Sequence, residues 1–170
     1  MSELLDSVED PDSLADHGMF GICDEAAIER DALQSLVPKG DQWLSVGDAA
    51  LLIGVEVDGL GIAVRLEHWD TEPPPARDSE VTQTATLHLP TGNLVYDAIA
   101  GGPEFDFFTV PPGRYKVRVS GWGRSDVAEK YDALLDLDRE EADLAIEALG
   151  GHERYLLQFW PEPSLPGQQG

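Results

Sequence analysis

An antiparallel β-sandwich of about eight strands, with a short acidic helical insertion before the last strand, is the fold class that this sequence predicts. Several short runs alternate apolar and polar residues, which is the period of a strand with one buried face. Clusters of Gly, Pro, Asn and Asp separate these runs and are typical of tight turns. Residues 125–151 break the pattern, because they are helix formers and reach no Gly or Pro before Gly150.

The predicted strands follow this alternation along the chain. The run at 60–69 shows it clearly, since Ile62 and Val64 share one face while Arg65 points the other way. The last run, at 154–160, is apolar on both faces, which is typical of a central strand. The predicted strands are residues 17–24, 49–57, 60–69, 80–89, 93–100, 104–110, 114–122 and 154–160.

Two pairs of consecutive strands are predicted to form hairpins. Asp58-Gly59 is a two-residue spacer between the second and third predicted strands, and its backbone suits a type I′ turn. The sequence PPG at 111–113 turns the sixth predicted strand into the seventh. We therefore expect each of these pairs to lie side by side in one sheet.

The length of 170 residues suits one domain, which we place at residues 17–161. Residues 1–16 are acidic with few large apolar side chains and are expected to form a mobile tail. Residues 162–170 have the composition of a disordered tail. Residues 25–40 fit either a short helix or a long surface loop that ends at Pro38 and Gly40.

The charge of the chain limits its function classes. With 33 acidic and 11 basic residues the formal net charge is −22. Such a surface repels nucleic acids and anionic membranes, and it attracts basic proteins. The alternative is that the acidity serves solubility or salt tolerance. The single cysteine, Cys23, excludes an internal disulfide, and no secretory signal or long apolar run is present. We expect a cytoplasmic protein.

Positive charge is concentrated in the stretch FFTVPPGRYKVRVSGWGR (107–124). Strand alternation places Arg114, Lys116 and Arg118 together on the outward face. They form either an anion-binding stripe or the basic half of ion pairs within the protein. We favour the second interpretation and expect Glu104 and Asp106, on the preceding strand, to be the partners.

The helical insertion carries the opposite charge. Residues 126–147 contain nine acidic and two basic side chains. Asp138 followed by Glu141 resembles a capping box, which divides the insertion into two helices, and Gly150-Gly151 ends the second. These carboxylates either form a solvated helix face or imitate nucleic-acid phosphates toward a basic protein. The candidate partner-binding residues are Asp132, Asp136, Asp138, Glu140, Glu141 and Asp143.

Catalytic motifs are absent from the sequence. It contains no HExxH, no nucleophile elbow, no phosphate-binding glycine loop and no dinucleotide fingerprint. The four histidines are scattered, and Cys23 has no neighbour that would activate a thiol. We therefore expect a non-enzymatic protein with no metal and no cofactor. The four tryptophans leave open a sugar-binding site, with core packing as the default.

The order of segments from Phe20 to Val119 resembles the competence protein J family of DNA-entry nuclease inhibitors. A short strand leads to a Trp-containing loop, paired aliphatic runs, and an aromatic strand that enters a Pro-Gly-aromatic turn. The segments that carry the resemblance are MFGICDE, QWLSVGDAA, LLIGVEVDGLGIAVRLE, VTQTATLHLPTGNLVYDAI and FDFFTVPPGRYKVRV. The acidic helical segment and ERYLLQFWP lie outside this pattern.

The resemblance implies a cytoplasmic inhibitor that binds a nuclease. It agrees with the inference from charge, an inhibitor or immunity-type partner of a basic protein, nuclease or toxin. The alternative is a small-ligand module that binds a sugar or an anion through Arg114, Lys116 and Arg118. An enzyme whose site is assembled from distant loops is the third hypothesis.

Overall fold

The computed structural model describes residues 1–163 except Asp31, Val37 and Lys39. Within this part of the chain the protein is mainly β, with ten strands in two five-stranded sheets and few helices. The strands are β1 (Leu4–Ser13), β2 (Met19–Asp24), β3 (Leu44–Val46), β4 (Ala50–Gly54), β5 (Ile62–Trp69), β6 (Val81–Leu89), β7 (Asn93–Asp97), β8 (Pro103–Thr109), β9 (Gly113–Trp122) and β10 (Arg154–Pro161). The α-helices are α1 (Glu25–Ile28), α2 (Arg124–Leu134) and α3 (Arg139–Glu147).

Sheet 1 has the strand order β1-β5-β10-β9-β6, and sheet 2 has the order β3-β4-β2-β7-β8. Neighbouring strands are antiparallel except β5 and β10, which run parallel. Sheet 1 is therefore mixed, whereas an entirely antiparallel fold was expected. A parallel neighbour needs a crossover connection, and here the chain between β5 and β10 runs through β6 to β9, α2 and α3.

The two sheets share one apolar core, so the arrangement is sandwich-like. Ile62, Val64 and Leu66 of β5 enter it from sheet 1, as their alternation predicts. Leu51 and Ile53 of β4 enter it from sheet 2. Two smaller clusters lie outside this core, one under α1 and the segment after it, and one under α2 and α3.

Both predicted hairpins are wrong. The strands on either side of Asp58-Gly59 are β4 and β5, which lie in different sheets, and the same holds for β8 and β9 on either side of PPG. The connection at 55–61 has other partners: Val57 and Leu60 pack under α2 and α3, and the Asp58 carboxylate accepts a hydrogen bond from the Gly18 amide. The chain therefore crosses between the sheets at both turns instead of folding back within one sheet.

The N-terminal segment also differs from its prediction as a mobile tail over residues 1–16. Leu4–Ser13 form β1, which pairs antiparallel with β5 at the edge of sheet 1. Most β1 side chains are exposed, so the segment carries no strong apolar pattern, and backbone pairing to β5 holds it in place. The other predicted tail, 162–170, is described only to Pro163, and there the Glu162 amide bonds to the Arg114 carbonyl.

The stretch 25–40 combines both predicted forms. Asp24 caps the one-turn helix α1 by accepting a hydrogen bond from the Ala26 amide, and a loop with one 3-10 turn (Gln34–Leu36) follows. Ala27, Leu33 and Leu36 cover the outer face of sheet 2. Val37, which was counted in the predicted apolar face, lies outside the described residues.

Gly92 lies just before β7, where the backbone passes close to Val110, just after the end of β8. The buried Asp24 carboxylate accepts hydrogen bonds from the amides of Thr91 and Gly92 and so holds this turn against β2. Gly92 has a φ of 74°, and a Cβ there would stand 1.9 Å from the Val110 carbonyl oxygen. We expect Gly92→Ala to lower the free energy of unfolding in urea by about 3 kcal/mol.

Gly59→Ala is the matched control for this prediction. Gly59 has the same φ of 74°, but nothing lies within 4 Å of its added Cβ. The Gly59→Ala substitution should lower the free energy of unfolding by about 1 kcal/mol, because only the left-handed backbone conformation opposes it. Equal losses in the two variants would show that the contact with Val110 does not matter.

Candidate functional site

Helices α2 and α3 are in contact with each other and lie between β9 and β10 in the chain, and we call them the acidic hairpin (residues 124–149). Its inner side packs on the 55–61 connection, where Val127 and Leu149 meet Val57 and Leu60. Tyr131, Leu134 and Ile146 are half-buried around this contact. The hairpin therefore has a defined inner side and leaves its other side to solvent.

All six candidate partner-binding carboxylates are exposed on this hairpin. They divide between the end of α2, the connection and the first turns of α3. Within the described residues the only ion pair of the hairpin's outer side joins Lys130 and Asp126, at 2.9 Å. The side chains in question are Asp132, Asp136, Asp138, Glu140, Glu141 and Asp143.

Three leucines are exposed among these carboxylates. Leu135, Leu137 and Leu144 retain 63%, 45% and 72% of their accessible surface. Isolated exposed leucines are ordinary, but here three lie within ten residues of the sequence. The outer side of the hairpin thus presents apolar groups surrounded by negative charge, which the sequence analysis did not predict.

Asp138 stands at the N-cap of α3, the position expected for it, but its side chain makes no capping hydrogen bond. Its carboxylate therefore remains free to face solvent. Glu140 and Glu141 lie in the first turn of α3, where the helix dipole stabilises negative charge.

A buried arginine anchors the start of the hairpin. Arg124, the first residue of α2, donates hydrogen bonds to the Gly54 carbonyl at 2.7 Å and to the Tyr155 hydroxyl. It also donates to Glu56 at 3.0 Å and lies over the Trp43 ring at 5.7 Å. Gly54 ends a strand of sheet 2 and Tyr155 belongs to sheet 1, so one guanidinium joins both sheets to α2.

Glu153 anchors the chain just after the hairpin. Its Oε1 accepts hydrogen bonds from the Glu56 amide and the Tyr155 hydroxyl, and it lies 3.8 Å from Arg124 Nη1. Its Oε2 is buried and has no partner among the described residues. Burial raises the pKa of Glu153, and the two hydrogen bonds and Arg124 partly offset the increase. This cluster was not predicted from sequence, because Arg and Glu are usually exposed.

The basic stripe of β9 is occupied by the protein's own acceptors. Arg114 donates to Glu162 at 2.9 Å, and Lys116 Nζ lies 3.9 Å from the same carboxylate. Arg118 is buried, donates to Glu72 at 3.0 Å and lies over the Trp160 ring at 5.2 Å. The prediction that Glu104 and Asp106 pair with this stripe is wrong, because their strand β8 lies in sheet 2 whereas β9 lies in sheet 1.

The other residues considered in the sequence analysis are dispersed. Trp43, Trp122 and Trp160 each lie over a different arginine, and the Trp69 indole donates to Glu67, so they do not form one platform. Burial raises the pKa of the Cys23 thiol to about 12, which disfavours the nucleophilic thiolate. In the described part of the chain no three His, Cys, Asp or Glu side chains are placed to hold a metal ion. No helix in this described part combines the length and apolar character that a bilayer span requires.

Two solved structures share this fold, whereas no protein-family model and no curated protein sequence matches the chain. One is ComJ from Bacillus subtilis, an inhibitor of the DNA-degrading activity of NucA. It aligns over 95% of this chain and 99% of its own, with a TM-score of 0.53 and 12% identity. The other is the product of crocagin biosynthetic gene J, which aligns over 96% of this chain and 99% of its own, with a TM-score of 0.52 and 19% identity. At these identities the comparison shows a shared fold.

The Arg124 cluster generates a stability prediction. Arg124→Met removes the cation but leaves Glu153 buried, so the free energy of unfolding should fall by about 3–5 kcal/mol in urea titrations. Adding Glu153→Gln to Arg124→Met should recover part of the loss, because the buried carboxylate is then gone. Arg114→Met, which breaks an exposed pair, is the control and should change little. A loss that Glu153→Gln leaves unchanged would contradict the ion-pair explanation.

The raised pKa of Glu153 generates a second prediction, for pH dependence. The folded protein holds the Glu153 proton more tightly than the unfolded chain does, in which the pKa of this carboxyl is 4.5. This contribution to stability is complete below that value and is lost as pH rises through the folded pKa. Wild type should therefore lose stability relative to Glu153→Gln as the pH rises from below 4.5 through the raised pKa of the folded protein. A difference between the two that is independent of pH over this range would refute the assignment.

Proposed function

We propose that this protein is a non-enzymatic binding protein whose acidic hairpin holds a basic protein partner. The class of partner that we favour is a nuclease or a toxin, which the protein inhibits or to which it confers immunity. The contact is made by the six exposed carboxylates and by the leucines between them. The observation that carries the proposal is this combination of free negative charge and exposed apolar side chains on one rigidly anchored element.

The electrostatics of the hairpin support a protein partner rather than a small cation. Carboxylates in a cluster speed the approach of a basic surface and contribute specificity. The exposed leucines add apolar contact area, which the central part of a protein interface requires. A helix face that served solubility alone would gain nothing from Leu135 and Leu144 in solvent.

The shared fold supports the class of partner. ComJ has the same arrangement over nearly the whole chain and inhibits a nuclease. A nuclease active site must attract DNA phosphates and is therefore basic. Carboxylates on a helix pair can occupy such a groove in place of phosphate.

The small-ligand alternative receives less support from the geometry. An anion site on β9 would need unpaired cations, but Arg114 and Lys116 share Glu162 and Arg118 is covered by Glu72 and the Pro73 carbonyl. An anion would have to displace these internal acceptors before it could bind.

Neutralising the six carboxylates tests the proposal. The variant carries Asp→Asn at 132, 136, 138 and 143 and Glu→Gln at 140 and 141, and its binding to NucA and to other basic nucleases is measured by biolayer interferometry. Wild type should bind and slow DNA cleavage, with affinity that falls between about 50 mM and about 500 mM NaCl. The variant should bind at least about tenfold more weakly.

A second variant controls for net charge. It removes six exposed carboxylates outside the hairpin, so both proteins lose the same charge from the total of −22. Equal weakening in the two variants would mean that only total charge matters, and no salt-sensitive complex with any nuclease would reject the proposal. The control positions are Glu3, Glu29, Asp41, Asp78, Glu104 and Asp106.

A further inference from the structure

Strand β6 is an edge strand that lacks the usual protection against strand pairing. Its sequence, VTQTATLHL, contains no Asp, Glu, Lys, Arg or Pro, on a chain that is 26% charged. It pairs with β9 in one unbroken register from Val81 to Leu89, without a bulge. Natural proteins protect exposed edges with charges, prolines, bulges or short strands, and β6 has none of these.

The other three sheet edges of the described chain are protected. In β1 the Asp6 and Asp10 carboxylates accept hydrogen bonds from the nearby amides of Ser7 and Asp12, and the register shifts twice. In β8 the register shifts near Asp106, which has a φ of 58°. The remaining edge strand, β3, is only three residues long. The open edge of β6 is therefore a local property and not a general feature of the fold.

Four residues of β6, at alternate positions, direct their backbone groups away from β9, and three of them lack backbone partners among the described residues. The His88 amide donates to the Asp48 carbonyl at 2.8 Å, so the backbone of His88 faces away from β9. Along an antiparallel strand the backbone N–H and C=O of successive residues point alternately toward one neighbouring strand and the other. The N–H and C=O of Thr82, Thr84 and Thr86 therefore lie on the same outward side as those of His88. None of these six groups has a backbone partner in the part of the chain that the structure describes.

We propose that β6 pairs antiparallel with β6 of a second copy of this chain, which joins the two copies of sheet 1 into one continuous sheet. With Thr84 opposite its own counterpart, Thr82 lies opposite the counterpart of Thr86, and all six outward groups find partners. The same two-fold arrangement sets threonine beside threonine across the join, a favourable pair on a sheet face. This interaction goes beyond the proposed function and uses a different surface.

Charge selects a second copy as the occupant of this edge. Two chains of net charge −22 repel each other least where negative charge is not in excess. Next to β6, the cations of β9 balance the nearby carboxylates: Arg114 and Lys116 face Glu162, and Arg118 faces Glu72. A basic partner would be drawn instead to the acidic hairpin. One strand pair buries less than the ~1,200 Å² of a standard interface, so we expect weak association.

Sedimentation equilibrium up to about 1 mM protein tests the proposal, at about 50 mM and about 500 mM NaCl. The dimer should form in a concentration-dependent manner and should strengthen with salt, because salt screens the repulsion between like charges. A complex between the acidic hairpin and a basic protein should weaken with salt. The two responses are opposite, so failure of either proposal can be recognised separately.

Two substitutions at the centre of the strand make the test specific. Thr84→Lys places charges face to face across the join, and Thr84→Pro removes an outward N–H that β9 does not use. Each should weaken dimerisation about tenfold or more, whereas Thr109→Lys, on the edge strand β8, should not. In wild type, hydrogen exchange at the Thr82, Thr84 and Thr86 amides should slow as concentration rises. A monomer at both salt concentrations, or a dimer that keeps its affinity in both Thr84 variants, would overturn the proposal.

Discussion

The buried guanidinium of Arg124 is the constraint on which the arrangement of this protein depends. It lies between the end of β4 in sheet 2 and Tyr155 in sheet 1, and it begins the helix that forms the candidate site. A buried cation is stable only when acceptors surround it, and here the Gly54 carbonyl, the Tyr155 hydroxyl and Glu56 do so. The two sheets, the 55–61 connection and α2 must therefore adopt their observed positions together.

This constraint determines how the acidic hairpin can act. Arg124 holds its first residue, and Glu153 holds the chain four residues after Leu149. The two anchors contact each other, so both ends of the hairpin join the body at one place. Between them, the inner side is fixed by Val127 and Leu149 against the 55–61 connection. A helix pair held in this way presents its carboxylates and leucines in a constant arrangement, which lowers the entropy lost when a partner binds.

The strands were predictable from sequence to a greater extent than their partners. Apolar runs between turn signals, most of them alternating, located β2 and β4 to β10, because they report which residues of a strand are buried. They contain no information about which sheet a strand joins, and for that reason Asp58-Gly59 was misread as a hairpin turn. Strand β1 escaped detection because most of its side chains are exposed. The exposed carboxylates of the candidate site followed from composition, whereas Arg124 and Glu153 did not, since their burial depends on contacts between distant segments.

The distribution of charge explains why surplus acidity accumulates on one element. In the part of the chain that the structure describes, six basic residues form ion pairs with the chain's own carboxylates, among them Arg65, Arg118 and Arg124. Arg118 holds a loop over sheet 1, and Arg124 joins the two sheets. Few cations are then left to balance the acidic hairpin, where Lys130 and Arg139 are the basic residues between positions 126 and 147. Unbalanced charge on a surface favours any ligand that supplies the missing sign. The internal use of its cations thus leaves this protein with a free negative surface that a basic partner would neutralise.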